Sequence, residues 1–126
     1  MKYFRFSRGW AYSTQANDLQ ALGELYQALD QLQDAEKAFQ SALNISTEIG
    51  ENLGQGNALY ELGKLCTTQH RFSEAQDFLT RAKDVYGRAH HPRWQKYTQD
   101  LLEDLHNKRD EQQDLVEEEA SGDGEN

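Results

Sequence analysis

The chain has 126 residues, 37% of them apolar and 28% charged, with 22 acidic against 13 basic side chains and a formal net charge of −9. That length holds one compact domain or one short repeat array, and the acidic excess repels a phosphate backbone, which excludes nucleic acid as the natural partner. Cys66 is the single cysteine, so no internal disulfide forms, and no stretch approaches the roughly 20 apolar residues of a membrane span; a reduced, cytoplasmic setting is expected.

Residues 1–13 hold Lys2, Arg5 and Arg8 and no acid, interleaved with Tyr3, Phe4, Phe6, Trp10 and Tyr12. Apolar runs here break every one or two positions, so the segment lacks the apolar stretch of a secretory signal. It reads as a makeshift cap for the helices that follow, or as an aromatic surface for self-association or a partner.

From residue 14 the chain repeats itself. A shift of 40 residues superposes 15–42 on 55–82 with eight identities in 28 positions, mostly apolar or small: Leu19/Leu59, Leu22/Leu62, Gly23/Gly63, Leu25/Leu65, Ala35/Ala75 and Ala42/Ala82 among them. Within each unit the apolar residues step by three and four, as in Leu19, Leu22, Tyr26 and Leu29, then Ala35, Ala38, Phe39 and Ala42, which predicts two amphipathic helices per unit. Gly23, Ala35, Gly63 and Ala75 are small enough to let helix backbones approach closely. Asp30-Gln31 and His70-Arg71 make the turns within units, Gly50 is placed as a helix C-cap, and Ser73 with Gln76 has the spacing of a capping box. The helices are expected near 14–29, 34–49, 54–69, 74–89 and 93–108.

The runs Leu22-Gly23-Glu24-Leu25-Tyr26 with Ala35, Phe39 and Ala42, and Leu62-Gly63-Lys64-Leu65 with Ala75, Leu79 and Ala82, resemble the tetratricopeptide signature. The usual unit has about 34 residues, and the longer period here is similar to the subgroup of kinesin light chains and G-protein-signalling adaptors. The resemblance implies an all-α fold: a short antiparallel helix-hairpin solenoid of two repeats plus a C-terminal capping helix, over residues 14–108. It also implies a non-catalytic adaptor whose concave face binds a protein or peptide, the alternative being an end segment of a longer array that stacks with other repeats or self-associates. On the first helix of each pair, the positions that resemblance assigns to the ligand are Asn17, Gln20, Glu24, Gln27, Asn57, Tyr60, Lys64 and Thr67, with Tyr97 and Asp100 continuing from the cap. Lys64 stands alone there, so the carboxylate clamp of chaperone-binding relatives is not expected.

Pro92 opens a fifth helix with apolar residues at Trp94, Tyr97, Leu101, Leu102 and Leu105, expected to cap the array. Residues 103–126 then carry two basic and ten acidic side chains, and 109–126 reads as a disordered acidic tail, with helix persisting to about Glu119 as the alternative. Catalytic, cofactor and metal sites are not expected. Gly54-Gln55-Gly56 is followed by no Lys-Ser/Thr pair of a phosphate loop, and Cys66 and His70 are separated by a turn that points them apart.

Overall fold

A computed structural model of the chain describes the backbone of residues 2–124 and the side chains of residues 13–119. It forms five helices, α1 (Lys2–Ala28), α2 (Leu32–Ile49), α3 (Asn52–Thr68), α4 (Phe72–Arg88) and α5 (Pro92–Gly124), with no strand among the described residues. The expected all-α hairpin array is therefore present, and each helix packs on the next in chain order. α3 is held between α2 and α4, whereas α1 has α2 as its main neighbour.

The four connections share one device, repeated every twenty residues. Asp30, Gly50, His70 and His90 all adopt left-handed backbone, with φ of 61°, 70°, 60° and 57°. After each, the next amide reaches back across the helix end: Gln31 N–H to the Tyr26 carbonyl at 2.8 Å, Glu51 to Ser46 at 2.9 Å, Arg71 to Cys66 at 2.8 Å and His91 to Tyr86 at 3.0 Å. This is the Schellman closure, which satisfies carbonyls that the helix leaves unpaired. Asp and His are among the residues that tolerate this conformation best after Gly and Asn. The expected C-cap at Gly50 is borne out; the capping box at Ser73 is not. Because the closure at His70 leaves Arg71 as N-cap, α4 starts at Phe72 and Ser73 lies inside its first turn, with no side-chain cap bond. Gln76 instead accepts a hydrogen bond from Arg109 of α5.

Glycines sit where helices cross. A Cβ on Gly23 would lie 2.5 Å from the Phe39 ring, and one on Gly63 would lie 2.6 Å from Leu79. Ala35 and Ala75, on the facing helices, have no exposed surface. One core joins Phe39, Leu43, Leu59, Leu62, Leu65 and Tyr86 across α2, α3 and α4, and a second joins Cys66, Ala75, Leu79 and Leu105. Between the units, the Arg71 guanidinium donates to both carboxylate oxygens of Glu36, at 2.9 and 3.1 Å, and also to Glu74, which holds the Glu74 carboxyl below the usual carboxylate range.

Two helices outrun the expected bounds. α1 begins at Lys2, but the side chains of Tyr3, Phe4, Phe6, Trp10 and Tyr12 lie outside the described residues, and so does the expected self-association through them. α5 continues past the expected end at 108, through the acidic tail to Gly124, and every described side chain after Leu105 is exposed. This stretch is rich in Glu, Asp and Gln. It is supported by helix propensity and by one-turn pairs such as Lys108 with Asp104 at 3.4 Å, not by packing.

Candidate functional site

Of the expected ligand positions, Tyr60 and Lys64 of α3 lie near Tyr97 of α5 around Trp94, and Glu24 of α1 reaches the field of Glu61 on α3. At the centre of this wall is an aromatic cluster. The Trp94 ring meets Tyr60 edge-on at 5.6 Å, Tyr97 edge-on at 5.6 Å, and stacks near Tyr86 at 6.0 Å. Tyr86 is fully buried, while Trp94 and Tyr97 remain 39% and 47% exposed. An aromatic residue in that position offers apolar area and a polar tip to a ligand. Trp94 had been read from its spacing as part of the packing stripe of α5; the structure makes it the hub that couples α5 to α3. The signal was the clustering of Trp94 with Tyr97, but only folding brings Tyr60 and Tyr86 to them.

Charges surround this cluster. Lys64 Nζ lies 5.4 Å from the centre of the Tyr60 ring and 3.8 Å from Glu61. Burial raises the Glu61 carboxyl above its ordinary range, Lys64 pulls it down, and Glu24 of α1 pushes it up again. Glu24 and Glu61 therefore share a field across α1 and α3. Tyr60 is raised in turn by burial and by the Glu61 carboxylate. The wall thus combines aromatic faces, two interacting carboxylates and one lysine that already sits against Tyr60 and Glu61.

The remaining expected positions divide. Asn57 is half-buried and accepts a 2.6 Å hydrogen bond from the Tyr86 hydroxyl, so its amide oxygen supports the aromatic cluster from below. Burial moves that hydroxyl's pKa well above the ordinary tyrosine value. Gly56 makes room for Tyr86, since a Cβ there would come within 2.7 Å of the ring. Asn17 is exposed and Gln20 half-buried on α1, and among the described residues no hydrogen bond or ring contact ties either to the cluster. Thr67 donates its hydroxyl to the Gly63 carbonyl at 2.9 Å.

A small groove of about 170 Å³ runs between α3 and α5 past Lys64, Thr67, Leu101 and Asp104. A larger one, about 760 Å³, lies at the far end, where His70 and Phe72 face Lys108, Leu115 and Val116 of α5. That groove depends on the continuation of α5 past residue 108, which sequence reading had not placed beside the array.

Cys66 has no exposed surface, and burial pushes its thiol up to about 11. It is packed as a small apolar side chain. Among the described residues no three His, Cys, Asp or Glu side chains converge as a metal site, and no helix is long and apolar enough to cross a membrane.

Residues 8–88, well over half of the chain, match the family model described as tetratricopeptide repeat. No curated protein and no solved structure matches.

Proposed function

Because the chain belongs to the tetratricopeptide-repeat family, whose members typically serve as non-catalytic interaction modules, we propose that it is an adaptor that binds a basic peptide segment along the wall of α1, α3 and α5. The observation that carries this reading is the half-exposed Trp94–Tyr97–Tyr60 cluster flanked by Glu24 and Glu61. An incoming Lys or Arg would lie over an aromatic face and against a carboxylate whose ionised form is otherwise held at a cost. Lys64 is the internal stand-in for that cation. A ligand displaces it or extends past it toward Asn17, Gln20 and Glu24, where the exposed Asn17 amide and the half-buried Gln20 amide accept from and donate to an extended backbone. Asn57 belongs to the site as the support of Tyr86 beneath Trp94.

Panning a displayed peptide library on the full chain tests this. Enriched sequences should be rich in Lys or Arg and should quench Trp94 fluorescence in a Trp10→Phe background. Tyr97→Ala and the Glu24→Gln/Glu61→Gln pair should each weaken them by about tenfold, roughly the loss of 1.4 kcal/mol. Lys64→Ala should tighten them. Binders indifferent to all of these changes would move the site off this wall.

A further inference from the structure

α5 packs on the array along one stripe, and that stripe outlasts what it packs on. Trp94, Thr98, Leu101 and Leu105 step by three and four residues; Thr98 and Leu105 are buried, and Leu101 packs against the core of Cys66, Ala75 and Leu79. The same steps continue through Lys108, Gln112, Leu115 and Glu119. α3, however, ends at Thr68 and α4 begins at Phe72. This part of the stripe therefore faces the turn between them across the groove of about 760 Å³, with Leu115 and Val116 60% and 59% exposed. A further helix of the array would not fill that groove. Such a helix would pack where α4 packs on α3, at Leu59, Gly63 and Cys66, and their counterparts 40 residues on, Gln99, Glu103 and His106, lie on the opposite side of α5.

The groove joins the aromatic wall. Thr67, Thr68 and Lys108 line both it and the smaller groove that runs past Lys64, so one track leads from the Tyr60 cluster to Leu115. The narrow part, about 170 Å³, suits an extended strand and not a helix, which is ~10–12 Å across. Thr67 and Thr68 donate their hydroxyls inward, to the Gly63 and Lys64 carbonyls at 2.9 and 3.1 Å, which leaves their oxygens as acceptors for a ligand's N–H groups. Tyr97, Asp104, Glu111 and Glu118 recur every seven residues and give α5 an acidic edge beside the track. Lys108 on the lining is already paired with Asp104 at 3.4 Å. We infer that the ligand of the wall has a second anchor, a large apolar side chain seated against Phe72, Leu115 and Val116 about eight residues beyond its cation. This rests on the basic-peptide reading above. Tyr97 and Leu115 are 18 residues apart on α5, roughly 27 Å of helix, which an extended chain covers in about eight residues. The acidic edge selects Lys or Arg between the two anchors and repels Asp or Glu.

A positional series of dye-labelled peptides tests this on the full chain by fluorescence anisotropy. Each carries an Arg-Lys pair and a single Phe, moved from roughly four to roughly twelve residues away in a background of Gly, Ser and Gln. Affinity should peak near a separation of about eight and exceed that of the Phe-free peptide by about tenfold. The Leu115→Gln/Val116→Gln pair should erase the peak while leaving helical content and melting temperature unchanged, because both side chains are exposed. Leu29→Gln, as exposed on α1, should keep the peak, and Tyr97→Ala should weaken every peptide with or without Phe. A series flat in the position of Phe, yet still weakened by Tyr97→Ala, would overturn the second anchor and leave the wall standing. A peak undiminished by Tyr97→Ala would sink the wall reading and the two-part ligand with it, and no binding by any peptide would overturn both. A lower melting temperature or a smaller sedimenting mass in the Leu115→Gln/Val116→Gln pair without peptide would show that the chain or a second copy already fills the groove, and would overturn the inference as well.

Discussion

The first and second repeat units use matching residues in matching places, but they are not equivalent in energy. α3 opens the second unit between two neighbours, so its leucines are core; α1 opens the first with one main neighbour, and its leucines are surface. In a helical array each unit is stabilised by its own hairpin and by the unit before it. A residue's weight is therefore set by what stacks on it as much as by what it is.

Truncating the paired leucines should produce the largest contrast. Leu65→Ala removes a side chain with no exposed surface and should cost about 2–5 kcal/mol through lost transfer energy and an unfilled cavity. Leu25→Ala, measured by urea denaturation, should stay within about 0.5 kcal/mol. Similar losses at both sites would show that the first unit is buttressed as well as the second.

The crossing glycines sharpen the same contrast at a smaller scale. Gly63→Ala presses a methyl group on Leu79 in a helix that cannot retreat, since α2 lies behind it. It should cost about 1–3 kcal/mol through overpacking. Gly23→Ala meets Phe39 just as closely, but α1 has open space behind it and can tilt away, which should halve the loss. If Gly23→Ala proved the costlier, the rigidity of the Phe39 ring would outweigh the freedom of α1.

Much of this architecture was legible in the sequence because it is carried by size and spacing. The 40-residue period, Gly23 and Gly63, and the alanines facing them are local facts that place two hairpins without any knowledge of the third dimension. Pro92 marked the start of α5 for the same reason. What was not legible depends on distant residues. Asn57 looks like a free amide until Tyr86, 29 residues away, donates to it. Trp94 looks like packing until Tyr60 and Tyr97 turn it into a half-open cluster. The left-handed turns escaped because three of the four use Asp or His in a place where Gly is the usual signal, and only their closing hydrogen bonds reveal the shared geometry.

Those turns provide a smaller test, in which the units should behave alike. Gly50→Ala meets nothing within 4 Å, so its cost is conformational alone and should be about 1 kcal/mol. His90→Gly and Asp30→Gly relieve the same strain and should gain up to about 0.5–1 kcal/mol in thermal or urea unfolding, less the added freedom of the unfolded chain. Losses in place of gains would mean that the His90 and Asp30 side chains hold the turns by contacts of their own.

The smallest effect separates the units by charge. Glu61 stands where the first unit has Ala21, and its carboxyl is raised mainly because it is buried, with Lys64 opposing and Glu24 reinforcing the shift. A group that binds its proton more tightly in the fold than in the unfolded chain weakens the fold when it ionises. Above the raised folded value Glu61 is ionised in both states and that cost is fully present. As the pH falls through the raised folded pKa toward the ordinary carboxylate value, the cost disappears. Glu61→Gln should therefore stabilise the chain at pH 7 by less than about 1 kcal/mol, the size of effect expected when a partly screened pair with Lys64 is lost at the same time. The difference from the parent should shrink to nothing near pH 4, as judged by urea midpoints across that range. If Glu61→Gln instead destabilised the chain at pH 7 and matched it in acid, the pair with Lys64 would outweigh burial. The carboxylate would then already be satisfied within the chain, and the wall would have no reason to recruit a cation from a partner.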